Sequence, residues 1–89
     1  MKSFTTSQFW QRYHALPREI QRRADKAYQL WRLNPQAHGL NFKRVGNQQP
    51  VYSVRIGQAY RALGLLEGDT ILWFWIGTHD EYMRLLAQL

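Results

Sequence analysis

Cysteine is absent from this 89-residue chain, which excludes disulfide staples and thiolate zinc sites and suits a reducing compartment. Long apolar runs are absent too. The longest, Ile71 to Ile76, is far too short to span a bilayer. Met1-Lys2 leads into Ser-Phe-Thr-Thr-Ser rather than the apolar core of a secretory signal. The cytoplasm is therefore the expected location, with no membrane partner. Acidic residues are scarce, 6 against 12 Lys and Arg, so the net charge is +6. That balance favours a polyanionic partner such as RNA, DNA or an acidic protein. Repeats, low-complexity tracts and dividing linkers are missing, so residues 1–89 read as one domain. His14, His38 and His79 are scattered, and none has a ligand-like carboxylate spacing. His79-Asp80-Glu81 is read as the acidic start of a helix rather than a metal site. No metal and no cofactor is expected.

Aromatics are plentiful: four Trp, five Tyr and four Phe must supply much of a small core. Lys2–Thr5 reads as a short strand. Ser7 reads as an N-cap, with Phe9, Tyr13 and Leu16 at helical spacing behind it. Pro17 separates that helix from a second, where Ile20, Ala24, Ala27 and Trp31 form one apolar stripe. Its other faces hold Arg18, Arg22, Arg23, Lys26 and Arg32, the pattern of a solvated helix surface. Asn34-Pro35 stops the helix, and 36–50 reads as loop with an extended option at 41–45. Three strands and a last helix follow, with Asp80 as its expected cap and Tyr82, Leu85, Leu86 and Leu89 as its stripe. The expected fold is α+β, in the order β-α-α-β-β-β-α. A mainly antiparallel four-stranded sheet packs on the two N-terminal helices.

Arginine within apolar strands is the most informative feature. Arg55 lies between Val54 and Ile56, and Arg61 between Tyr60 and Ala62. Burying either without a partner is costly. A three-residue loop at 57–59 sets Arg55 opposite Arg61, whereas a two-residue loop at Gln58-Ala59 turns Arg61 into the core, so the pattern selects the first register. A second loop at 67–69 sets Leu66 opposite Thr70, Leu63 opposite Trp73 and Arg61 opposite Trp75. One face then carries Tyr52, Val54, Ile56, Tyr60, Ala62, Leu66, Leu72, Phe74 and Ile76. The other carries Ser53, Arg55, Arg61, Leu63, Trp73, Trp75 and His79. Facing arginines repel, and an anion between them relieves that repulsion. Trp73 and Trp75 read either as packing residues or as stacking platforms.

The segments YSVRIGQAYRALG and WFWIGTHDEYMRLL, behind two N-terminal helices and a basic loop, resemble the RelE/ParE superfamily of bacterial toxins, in its RelE-like branch. The resemblance implies a toxin of a toxin–antitoxin pair: an endoribonuclease (mRNA interferase) that inhibits translation by cleaving mRNA in the ribosomal A site, without a metal. It implies a cognate antitoxin, the ribosome and mRNA as partners. By position, Arg61 and Arg55 match phosphate-holding residues, His79 a general acid, and Tyr82 a base or positioning residue. Lys43 and Arg44 fall in the loop that tracks nucleic acid, and Trp75 lies beside the arginines. One departure is Ser53, which stands where several RelE-like enzymes carry a lysine or an acidic base. Two other readings stay open: a ParE-like inhibitor of DNA gyrase that does no chemistry, and an inactive toxin relic that only binds. For the antitoxin, the second sheet face with Leu63, Leu65, Ile71 and Trp73 is one expected seat. The C-terminal helix folding over that face is the alternative.

Overall fold

The computed structural model describes residues 1–89. Strand β1 (Lys2–Thr5) runs into helix α1 (Ser7–His14), and Thr6 opens that helix by accepting the Phe9 N–H at 3.0 Å. The cap is thus one residue before the expected Ser7. Pro17 precedes α2 (Arg18–Leu33), whose stripe buries Ala24 and Trp31. Asn34, with φ −154° and ψ 98°, is extended backbone and ends it. Arg18, Arg22, Arg23, Lys26 and Arg32 are exposed, as expected of a solvated face.

Strands β2 (Lys43–Arg44), β3 (Val51–Ile56), β4 (Tyr60–Glu67) and β5 (Thr70–Thr78) complete a five-stranded sheet in the order β1-β5-β4-β3-β2. Only the β1–β5 pair is parallel. The sheet has one strand more than expected, because Lys43 and Arg44 pair with Ser53 and Tyr52.

The first hairpin has the expected register: Ile56 faces Tyr60, Arg55 faces Arg61 and Val54 faces Ala62. The second does not. Its turn is Gly68-Asp69, with Gly68 at φ +61°, so Glu67 rather than Leu66 faces Thr70. The ladder then slips between Leu63 and Gly64: Gly64 faces Trp73, Leu63 faces Trp75, and Arg61 faces Gly77. Phe74 is the extra residue of this bulge. A Cβ on Gly64 would stand 2.6 Å from Ile71 Cγ1 and 2.8 Å from Trp73 Cε3, so only glycine admits those side chains there.

Up to Phe74 the faces of β5 are the reverse of those expected, while beyond the bulge Trp75 and Ile76 keep theirs. Ile71 and Trp73 join Trp31, Val54, Ile56, Ala62 and Ile76 in the core under α1 and α2. Trp31 is its centre, edge-on to Trp73 at 5.4 Å and to Phe42 at 5.8 Å. Phe74 packs instead with Val51, Leu63, Trp75 and Tyr82 in a second core, and Leu72 is exposed on that side. Helix α3 (His79–Leu86) closes the second core through Tyr82, Leu85 and Leu86. The expected antitoxin seat at Leu63, Leu65, Ile71 and Trp73 is therefore not an open face. Leu63 is buried near α3, while Ile71 and Trp73 lie on the opposite side of the sheet. No helix is long and apolar enough to cross a membrane.

Candidate active site

The β3–β4 hairpin brings two guanidinium groups together. Arg55 and Arg61 are direct cross-strand partners, and both fold toward the turn between them. Arg55 Nε donates to the Gly57 carbonyl at 3.2 Å. Arg61 Nη1 donates to the carbonyls of Tyr60 at 2.7 Å, Gln58 at 3.2 Å and Gly57 at 3.3 Å. Neither forms an ion pair with a carboxylate. Burial first, and the facing Arg55 second, hold Arg61 below the ordinary arginine range, while Tyr82 acts weakly the other way. A charged group disfavoured in this way is relieved by an anion.

The start of α3 meets the same hairpin. The His79 N–H donates to the Ala59 carbonyl at 2.7 Å, which ties the helix N-terminus to the 57–59 turn. Thr78, not Asp80, is the cap, and its Oγ1 accepts the Glu81 N–H at 3.2 Å. Glu81 reaches back to the Thr78 N–H at 3.0 Å, completing a capping box. The His79 and Tyr82 rings are 5.8 Å apart, and Arg61 Cζ lies 6.0 Å from the Tyr82 ring centre. Tyr82 is only 5% exposed, and its hydroxyl donates to Ser53 Oγ at 3.3 Å; Ser53 is 2% exposed. The two groups satisfy each other beneath the arginines.

Of the residues singled out from sequence, Arg55, Arg61, His79, Tyr82 and Ser53 come together. Lys43, opposite Ser53 on β2, shares their face and is exposed. Arg44 does not join them. It faces the other way, opposite Tyr52, and folds onto its own loop through the Gly46 carbonyl at 2.9 Å. Trp75 is 8% exposed within the second core, with the Arg12 guanidinium 5.0 Å from its ring centre. One ring face is thus already occupied.

Sequence reading missed Arg12, and it placed Arg23 only on the solvated face of α2. Arg12 Nε donates to the Ile76 carbonyl at 2.8 Å, and Nη2 pairs with Glu81 Oε2 at 3.1 Å. The available signal was a cation within the Phe9–Tyr13–Leu16 stripe of α1. Arg23 reaches the hairpin turn: a Cβ on Gly57 would stand 3.2 Å from its Nη1. It also pairs with Glu19 at 3.2 Å. Two clefts flank the sheet. A polar one of about 410 Å³ lies beside Arg55, lined by Gln36, His38, Asn41 and Phe42. An apolar one of about 220 Å³ lies between β1, α1 and α2, on the face away from the arginines, with Phe4, Trp10 and Tyr28 exposed at its rim.

Comparison with known proteins agrees with this fold. The family described as "ParE-like toxin domain" matches residues 18–84. Among solved structures, the chain is similar to the RelB–RelE antitoxin–toxin complex from Methanococcus jannaschii, with TM-score 0.74 and 17% identity over 92% of this chain and 96% of that one. It is similar to YafQ from E. coli strain BL21(DE3), with TM-score 0.73 and 9% identity over 91% and 96% of the two chains. It also resembles the YoeB/ParE toxin from Agrobacterium tumefaciens, with TM-score 0.69 and 15% identity over 89% and 99%. At these identities the likeness is one of fold. No curated protein matches in sequence.

Proposed function

Since the chain belongs to the family of ParE-like toxin domains, within the RelE/ParE superfamily of toxin–antitoxin toxins, we propose that it inhibits translation by cutting mRNA on the ribosome without a metal. The observation that carries this reading is the cross-strand Arg55–Arg61 pair, unneutralised and set against the first turn of α3. A scissile phosphate between the guanidinium groups is held at the place where charge grows as the ribose 2′-OH attacks. As the P–O5′ bond breaks, His79 protonates the leaving 5′-oxygen, and the proton of the attacking 2′-OH passes to solvent water. Tyr82 acts by positioning rather than as a base, because its hydroxyl is buried against Ser53. Its ring supports Arg61 and His79. Lys43 adds a cation to the same face in the row occupied by Ser53.

A cognate antitoxin is the proposed protein partner. The apolar cleft between β1, α1 and α2, with its exposed Phe4, Trp10 and Tyr28, supports that face as its seat. A second reading, a DNA gyrase inhibitor that does no chemistry, is favoured by the ParE-like description of the matching family. Primer-extension mapping of cellular mRNA after brief induction separates the two. Discrete cuts within translated frames, lost in Arg61→Ala, support cleavage. Growth arrest without cuts supports the gyrase reading.

A further inference from the structure

We propose that Arg12, on α1, is a positioning residue for the His79 end of the site; this inference rests on the cleavage reading above. Arg12 lies far from the arginine pair in sequence, yet it is the one cation that joins an N-terminal helix to the first turn of α3. Its guanidinium makes three different contacts. Nε donates to the Ile76 carbonyl at 2.8 Å, on the last stretch of β5 before the turn. Nη2 pairs with Glu81 Oε2 at 3.1 Å. Cζ stands 5.0 Å from the centre of the Trp75 ring. A lysine cannot reproduce this set, because a single ammonium lacks the fork geometry.

The consequence passes through Glu81. Its other oxygen, Oε1, accepts from both Thr78 N–H and Thr78 Oγ1 at 3.0 Å. One carboxylate therefore links Arg12 to the residue immediately before His79. The next peptide N–H, that of His79, is spent on the Ala59 carbonyl of the arginine-bearing hairpin. The chain of contacts runs from α1 through Glu81 and Thr78 to His79, and from there to the turn that holds Arg55 and Arg61. Gly77 shows how closely this corner is built. A Cβ there would stand 2.6 Å from Trp75 Cζ2 and 2.9 Å from Glu81 Oε1. The pair is half exposed, with side chains 35% and 44% accessible, so its direct contribution to global stability is small. Its effect lies in fixing where the α3 turn stands. Small displacements of a reacting group lower rates steeply.

The test uses the full chain carrying Arg12→Gln, Glu81→Gln, both together, or Arg12→Lys. Single-turnover cleavage of mRNA on programmed ribosomes is followed against ribosome concentration. Hydrogen exchange of the Thr78, His79 and Glu81 amides is followed in the free protein. Arg12→Gln is expected to lower the cleavage step about 10- to 100-fold with half-saturation little changed. It is also expected to speed exchange at 78–81 while β3 and β4 keep their protection. Arg12→Lys recovers part of the rate, and the double variant is no slower than the worse single one, because both break one link. An unchanged rate, a proportional loss across all strands, or additive losses in the double variant overturns the proposal. If the unaltered chain cuts nothing, the cleavage reading fails on its own. Exchange then decides the brace: unaltered exchange at 78–81 overturns it, and faster exchange confined there supports it.

Discussion

Arg55 and Arg61 show how a single pair can be unfavourable for the folded chain and useful for a ligand. The sheet sets the two cations face to face, and the backbone carbonyls of residues 57, 58 and 60 compensate for only part of that repulsion. Replacing Arg55 with Gln keeps a hydrogen-bonding side chain and removes one charge. The expected result is a protein more stable by about 0.2–1 kcal/mol, readable in urea titrations, with cleavage lost. Inorganic phosphate should raise the melting temperature of the unaltered chain and leave that of Arg55→Gln nearly unmoved. An equal rise in both would place the anion elsewhere. Glycine at 64 is a second single-residue constraint. Because its Cβ would stand 2.6 Å from Ile71 Cγ1, Gly64→Ala is expected to destabilise by about 1–3 kcal/mol through overpacking.

At the scale of elements, the first turn of α3 is set by charge as well as by packing. The Thr78 backbone bond is the largest influence and lowers the Glu81 carboxyl; burial, next in size, opposes it, and the Thr78 hydroxyl and then Arg12 lower it further, so that it stands below its ordinary value of 4.5. A carboxyl lowered on folding stabilises the folded state above its unfolded pKa, and that stabilisation is lost as pH falls through the folded value. The melting temperature should therefore keep the Glu81 contribution from neutral pH down to 4.5 and lose it below. In Glu81→Gln that part of the acid decline should vanish. Parallel curves for the two proteins would show that Glu81 is not coupled to folding. The elements were unequally legible in the sequence. The α2 stripe and the Arg55–Arg61 register were plain, because slipping either would bury a charge. The β4–β5 register was not. Both faces of those strands are apolar and both are covered, one by α1 and α2 and the other by α3, so alternation carries no information about the pairing. The only local mark of the bulge was a glycine in mid-strand. Arg12 was hidden for another reason: its contacts with Ile76 and Glu81 span 64 and 69 residues of sequence.

For the whole molecule, net charge and its placement make separable predictions about polyanion binding. The chain carries +6, and the acidic Glu67 and Asp69 stand at the β4–β5 turn. That turn is the far end of β4 from Arg61, roughly 20 Å away at the usual rise per residue. Lys43, Arg55 and Arg61 share one face near the opposite end, while Arg18, Arg22 and Lys26 lie exposed on α2. If net charge alone governs binding, removing any one cation lowers the salt dependence of RNA affinity equally. If the α3-side face is the RNA surface, position decides. Each phosphate contact on a single strand contributes about 0.7 to the slope of log affinity against log salt. Lys43→Gln and Arg55→Gln are each expected to reduce that slope by about 0.7, whereas Lys26→Gln leaves it unchanged. Fluorescence anisotropy of a short labelled RNA across a salt series measures this directly. Equal reductions for all three variants would return the binding to unspecific charge. A reduction confined to Lys26→Gln would move the surface to α2, away from Arg55, Arg61 and His79, and the cleavage reading would lose its substrate contact.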